Sequence, residues 1–541
     1  MNIRSRIAVW FLAALLGGGG AAASEADHRE FDATLYAPFQ GADGAARPFT
    51  LAFEYPLVAR LQTVTWRLEL NGPDGKLARQ WQGAEPLLRG PVSVPVRWDG
   101  RLNGAAAPPG IYHVMLRASA RAADSVPLET DIVEQGWDIA VGAIATPALP
   151  VLRTVSRHGA DMAPALGALP YTVYLGNLHS QTSHSDGGGA LDSCVGAQDP
   201  QSAALGPTDA YDYARERGLD ILLTSEHNHM YDGSDGTNAA ASPATGKALF
   251  QSGLRAAADF NDAHPDFLAL YGLEWGVIAS GGHLNIFNSA ELLGWERNGA
   301  GELLADTFTA KSDYAALYTL MRERGLVGQF NHPSRGGQFV VNGRPMGFSD
   351  DGDQAMALCE VVNSNAFSAN TTETETRRSN YEFACNRALE AGFHVAFSTN
   401  QDNHCANWGA SFSNRTGVLV AAGTALSPAS FLDALRARRV FATMDKGSQL
   451  VLTANGHLMG ERFSNSGPLT LVARFASTAG KTVSAVSVFE GVPGRNGSVT
   501  ELSSTAETSI TPAPGEHFYY VRLTQSDGNM LWSAPVWVSQ K

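Results

Sequence analysis

A chain of 541 residues exceeds what one hydrophobic core serves and is expected to divide into two to four domains. Its formal net charge of −14 excludes the broad basic surface of a general nucleic-acid binder, so no nucleic-acid partner is expected. The remaining composition is that of an ordinary globular protein, without internal repeats or long low-complexity tracts.

The first residues read as an export address. Arg4 and Arg6 precede an apolar run from Ile7 to Leu16, and Ala21, Ala22 and Ala23 offer a signal peptidase its small residues. Residues 1–23 are therefore expected to be a signal peptide, with no Cys nearby to carry a lipid anchor. No later stretch reaches the ~20 apolar residues of a spanning helix. A periplasmic or secreted chain without a membrane span is predicted.

Residues 24–150 read as all-β, because stretches such as TVTWRLEL and YHVMLRAS alternate in polarity between the turns NGPDG and PPG. The segment WDGRLNG…PPGIYHVMLRA resembles a bacterial Ig-like module of flagellar hook-capping and surface proteins, which implies a sandwich. Residues 151–170, rich in Pro and Ala, read as a linker.

From 171 to 446 strands alternate with amphipathic helices, an α/β pattern. The strand candidates are TVYLGNLH, DILLTSEH, FLALYGLEW, HLNIFN, LVGQFNHP, ALCEVVNS and HVAFSTNQD. Helix candidates include TDAYDYARERG, KALFQSGLRAAADFNDA, DYAALYTLMRERG, YEFACNRALEAG and SPASFLDALRARR. Seven such strands suit a closed barrel. Residues 447–541 return to short strands and read as a second small β domain.

Ligand-type side chains gather on those seven strands. His179 ends the first, His227 the second and Glu274 the third. His283 opens the fourth, His332 ends the fifth, and Asp402 with His404 ends the seventh. Loops at the carboxyl ends of parallel barrel strands converge, which is where a barrel builds its site. One such His is more often structural; seven groups at matching positions point to a metal centre.

The motifs in order carry a resemblance. GNLHSQTSHSDGG is similar to the opening D-L-H-x-H-T-x-x-S-D-G of the PHP (polymerase and histidinol phosphatase) superfamily, and TSEHN to its T-D-H motif. GLEW, GGHLNIF, FNHPS and TNQDNH are similar to its later motifs. The ending with Tyr519, Tyr520, Val521, Arg522, Trp532, Ser533 and Pro535 resembles that of its carbaryl-hydrolase-like branch. The resemblance implies an α/β fold: a distorted (β/α)7 barrel flanked by N-terminal and C-terminal β-sandwich-like domains.

It also implies two or three divalent transition-metal ions, Zn, Mn or Fe. His179, Glu274 and Asp402 would hold the first, Glu274 with His283 and His332 the second, and Asp186, His227 and His404 the third. Imidazole and carboxylate suit these metals without thiolate. Gln181 replaces the second His of the opening pair, so it is a weaker candidate ligand, with His184 a possible substitute. Glu226 replaces the Asp of T-D-H and would orient His227.

His229 reads as a further ligand or a general acid, or as an ordinary loop His. Arg335 and Lys446 read as anion-neutralising groups or as solubilising ones. His158, His457 and His517 are taken as structural. The acidic DDGDQ segment lacks EF-hand spacing, and no G-x-S-x-G elbow is present.

The implied reaction is hydrolysis of a small anionic or ester-type substrate, a phosphoester first, by a hydroxide bridging the metals. Two alternatives stand beside it: a carbamate, amide or ester hydrolase, and a non-catalytic exported binding protein.

Four cysteines in an exported chain allow three pairings. Cys359 should point outward if Glu360 points inward, toward the helix that carries Cys385. Cys194 and Cys405 both follow ligand motifs. Cys359–Cys385 and Cys194–Cys405 are therefore expected, with four free thiols as the alternative.

Overall fold

The N-terminal strands show why their residues alternate. In Gln62–Asn71 the side chains of Val64, Trp66, Leu68 and Leu70 are buried while their neighbours are not. They face Phe49, Leu51 and Phe53 in the core that a four-stranded and a three-stranded antiparallel sheet share. The computed structural model describes residues 31–41, 46–55, 58, 60–88, 90–122, 132–155, 168–194, 196–333 and 338–541. The signal-peptide reading, Arg335 and His158 lie outside these residues.

The five helix candidates form, as Pro207–Glu216, Pro243–Ala263, Tyr314–Arg324, Glu382–Ala391 and Pro428–Arg436. Tyr314–Arg324 illustrates the local logic. Asp313 caps it by accepting from Ala316 N at 3.0 Å, Gly325 ends it in the left-handed region, and Tyr314, Leu317, Tyr318 and Met321 bury one stripe. DDGDQ opens a sixth, short helix, Asp350–Ala355.

The strand directions overturn the predicted fold class. Tyr171–Asn177, Ile221–His227 and Leu268–Val277 are parallel neighbours. Gly282–Ile286, however, runs back antiparallel to Leu268–Val277, because residues 278–281 are too short a link for a crossover. On the other side Tyr171–Asn177 pairs antiparallel with Arg415–Ala421, which leads through Val440–Thr443 to Met530–Ser533, Gly515–Gln525 and Val483–Gly491.

Central and C-terminal strands thus share one 16-stranded mixed sheet. Among the described residues strand outweighs helix, 43% to 14%. The chain is mostly β around a large mixed sheet, not an α/β barrel; the N-terminal strands keep a three-stranded and a four-stranded antiparallel sheet of their own, while C-terminal strands join the large sheet. Among the described residues no ladder joins Ala396–Asn400 to Tyr171–Asn177. Side chains bridge that seam instead. Asn400 Oδ1 accepts from Leu178 N at 2.8 Å, and Asn177 Oδ1 accepts from Gln401 N at 3.0 Å.

Among the described residues, no helix is long and apolar enough to cross a membrane. Both expected disulfides are present, and no cysteine is left free. Cys359–Cys385 ties the strand Met356–Ser364 to its covering helix, while Cys194–Cys405 closes 211 residues of sequence around the candidate site. Cross-link entropy grows with loop length, so Cys194→Ala with Cys405→Ala is expected to cost about 2–5 kcal/mol, more than opening the 26-residue link. Thermal unfolding of each double variant tests this. An equal or reversed order counts against it.

Candidate metal centre

Local chain geometry brings the donors inward. After the strand Tyr171–Asn177 the chain folds tightly, so that a Cβ on Gly187 would stand 2.4 Å from the Gln181 carbonyl carbon. Gly188 adopts φ +76°. Only glycine tolerates both, and the fold sets Asp186 opposite His227 and His404. His332 and Asp402 themselves have φ of 26° and 50°, backbone that L residues rarely adopt. Such strain costs of order 1–3 kcal/mol and is held in place by the surroundings.

Glu274, wholly buried, is the centre of the cluster. Its Oε1 lies 3.1 Å from His283 Nδ1 and 3.2 Å from His332 Nε2. Its Oε2 lies 3.0 Å from His179 Nε2 and 3.6 Å from His227 Nδ1. Asp186 Oδ1 is 3.7 Å from His227 Nε2 and 3.5 Å from His404 Nε2, and Asp402 Oδ1 is 3.1 Å from His179 Nε2. Two ligand atoms each ~2.1 Å from one ion stand about 3.4 Å apart at a tetrahedral angle. The spacings match.

Three buried groups can each hold an ion: His179, Glu274 and His332; His227, Glu274 and His283; Asp186, His227 and His404. The third is the set the motif resemblance implies. The other two redistribute the histidines around Glu274, and Asp402 stands beside His179. This donor set fits a divalent transition metal.

Electrostatics point the same way. Burial opposes charge on His179, yet Asp402, Glu274 and Glu360 outweigh it and hold that imidazole well above its usual range. His404 is pushed up to about 9 against its burial by Asp186 and Asp402. Glu274, despite burial, is held well below the carboxylate range by His179, His283 and His227. A bound cation takes the place of such protons on imidazole.

Other expected residues take different places. Gln181 stands at the cluster: its Nε2 donates to Glu274 Oε2 at 2.5 Å, and its Oε1, the atom that would face an ion, is buried without a hydrogen-bond partner among the described residues. His184 turns to Tyr271, with Nδ1 and Oη 2.8 Å apart, and burial pushes its pKa down to about 4. Glu226 accepts from Thr182 N, Thr182 Oγ1 and Ser185 Oγ, tying down the loop that carries Asp186. His229 is buried beside the cluster, 5.7 Å from His227 between ring centroids, with Nε2 3.4 Å from Asp235 and its ring stacked on Trp295. Lys446 is held by Glu373 at 2.6 Å.

Sequence reasoning gave no site role to Glu360, Asn331 or Asn400. Glu360 Oε1 lies 3.2 Å from His179 Nδ1 and accepts from Asn400 Nδ2 at 2.9 Å, while Oε2 accepts from His332 N at 2.7 Å. It fixes two donors at once, as an outer carboxylate does in a metal site. Asn331 donates to Glu274 Oε1 at 2.8 Å. The available signal was a lone Glu inside the otherwise buried apolar run MALCEVV.

No family model matches this chain, and no curated protein matches it. Solved structures give slight likenesses. A Bacteroides uniformis beta-glucuronidase is 10% identical, with a TM-score of 0.17, over 95% of this chain and 62% of that one. A putative beta-galactosidase from Bacteroides fragilis is 10% identical, with a TM-score of 0.15, over 94% and 74%. The CARDB domain of the PF1109 protein from Pyrococcus furiosus is 13% identical, with a TM-score of 0.16, over 21% and 90%. At such scores none of these likenesses assigns a fold or an activity; what distinguishes the chain is its buried donor cluster.

Proposed function

We propose that this chain is an exported metal-dependent hydrolase of small ester-type substrates, with phosphoesters first. One observation carries the reading: each oxygen of the buried Glu274 faces two histidines, so one carboxylate joins two donor groups. The ordered motifs from His179 to His404 support it, as does their resemblance to PHP-superfamily metallohydrolases. When bound, two or three Zn²⁺, Mn²⁺ or Fe²⁺ ions would polarise the ester oxygen and lower the pKa of water toward ~7.

The chain's own residues do the rest. Glu274, His179, His332, His227, His283, Asp186 and His404 bind, with Asp402 beside them. Gln181 and Asn331 fix the two oxygens of Glu274, and Glu360 fixes His179 and the backbone of His332. His229, braced by Asp235 and Trp295, is the general acid that returns a proton to the leaving group. A carbamate or carboxylic-ester substrate is the second reading, favoured by the resemblance of the ending with Tyr519, Tyr520, Arg522 and Trp532 to the carbaryl-hydrolase-like branch.

The test is elemental analysis of the purified chain with a panel of bis-p-nitrophenyl phosphate, p-nitrophenyl phosphate and a p-nitrophenyl carbamate. At least two transition-metal ions per chain and turnover of one class are expected. One ion or none overturns the multi-metal reading; bound metal without turnover of any class leaves a binding protein.

A further inference from the structure

The two oxygens of Glu274 face different chemistry. At Oε1 the close donors are the imidazoles of His283 and His332. At Oε2, on the side of Asp402, oxygens prevail. His179 Nε2 lies 3.0 Å from Oε2 and 3.1 Å from Asp402 Oδ1. The remaining corner is Gln181, whose Nε2 is 2.5 Å from Oε2 and 3.5 Å from Asp402 Oδ1. The nearest other imidazoles are turned elsewhere. His227 Nδ1 stands off at 3.6 Å while its Nε2 faces Asp186, and His184 Nδ1 meets the Tyr271 hydroxyl.

The backbone holds Gln181 at that corner. Its N–H donates to the Asn403 carbonyl at 2.9 Å, and its carbonyl accepts from the Trp408 indole N–H at 2.8 Å. Asp402 N donates to the His179 carbonyl at 2.9 Å, so His179, Gln181 and Asp402 leave one small bridged patch of chain. The Gln181 side chain is wholly buried. Its Nε2 is taken by Glu274, yet Oε1 has no hydrogen-bond partner among the described residues. Buried amide oxygens nearly always meet a donor, so an orphaned one inside a donor cluster is placed to face a cation.

We propose that Gln181 Oε1 is an ion ligand, and that it makes the Asp402 side of the centre selective for Mn²⁺ over Zn²⁺. With His179, Glu274 and Asp402 it offers three oxygens to one nitrogen. Carboxylate and carbonyl oxygens suit Mn²⁺, whereas imidazole suits Zn²⁺. The group of Asp186, His227 and His404 has the opposite balance, two nitrogens to one oxygen, and takes Zn²⁺. The centre is therefore a mixed one. This rests on the metal-dependent hydrolase reading above and assigns the ion at one part of that site.

The test uses the full chain as wild type, Gln181→His and Gln181→Met. Each is stripped with chelator and dialysed against buffered Mn²⁺ at rising free Zn²⁺, and bound metal is counted by elemental analysis. Wild type is expected to take Zn²⁺ into its imidazole-rich groups first and to keep one Mn²⁺ per chain until free Zn²⁺ is much higher. Outer partners of ligands alone change metal affinity 10–100-fold, so the imidazole of Gln181→His should lower the free Zn²⁺ that displaces this Mn²⁺ at least about tenfold. Gln181→Met, close in shape but without the oxygen, should lose the Mn²⁺ and keep the Zn²⁺. Mn²⁺ that survives Gln181→Met at wild-type affinity overturns the assignment and leaves the hydrolase reading intact. So does a wild type whose ions all exchange to Zn²⁺ in one step, a result that needs no variant to fold. Selective Mn²⁺ retention without turnover of any ester sustains the assignment and removes the hydrolase. A chain that binds no metal overturns both.

Discussion

Glu274→Gln is expected to reduce activity by more than about a hundredfold and to lower bound metal below the wild-type stoichiometry. Outer partners of metal ligands alone typically cost 10–100-fold, and Glu274 stands inside that shell, shared by two donor groups. The amide keeps the shape but offers one neutral oxygen where two charged ones faced four imidazoles. It also removes the anion that holds His179, His283 and His227 in place. Glu360→Gln is the graded comparison. It touches His179 and the His332 backbone without belonging to a donor group, so metal affinity should fall about 10–100-fold. Elemental analysis across a chelator titration, with turnover measured in parallel, separates the two. Wild-type metal content and activity in Glu274→Gln would falsify the central role given to this carboxylate.

Much of the candidate centre was legible because burial leaves a sharp mark on strands. In ILLTSEH and LALYGLEWGV every residue is buried, so a His or Glu there must find a partner. Strand alternation, with Glu360 inward, likewise turned Cys359 toward the helix that carries Cys385. What was not legible is what periodicity does not encode. An apolar run reports that a strand is buried, not its direction, so the hairpin into Gly282–Ile286 was read as another parallel strand. Nor does VSAVSVFEG or FYYVRLTQ reveal that its neighbours belong to the central sheet.

Side-chain roles were harder still. Gln181 was assigned by its position in a motif, but which atom of an amide faces a carboxylate depends on the whole cluster. Asn177 and Asn400 bridge a seam in the sheet, and a polar residue beside a strand end gives no sign of such a duty. Asp32 and Glu54 stand by His332 and Asp402 only after the chain has folded over several hundred residues. Local pattern carries no such information.

That long-range folding has its own test at Arg522, where three parts of the chain meet. Its Nη1 pairs with Glu382 on the helix Glu382–Ala391 at 2.7 Å, and its Nη2 with Asp138 on the N-terminal strand Ile132–Val141 at 3.2 Å. Tyr520 donates to the other oxygen of Glu382, and Thr524 to Asp138. All three charges are buried. Arg522→Met therefore strands two carboxylates away from water, and is expected to destabilise the fold by about 3–5 kcal/mol at neutral pH. Burial alone would raise the Asp138 pKa, but Arg522 first and then His113 outweigh it and hold the group below the usual carboxylate range. A depressed folded-state pKa adds stability above the unfolded value of about 4, and that stability is lost as pH falls below it. Unfolding followed from pH 7 to pH 2 should thus show an acid-side loss in wild type that is smaller in Asp138→Asn. Replacing Arg522, Asp138 and Glu382 together by Met, Asn and Gln should recover part of the loss, since no buried charge is then left alone. If Arg522→Met unfolds at the wild-type temperature, the three regions are joined by apolar packing, and the ion cluster adds nothing to their union.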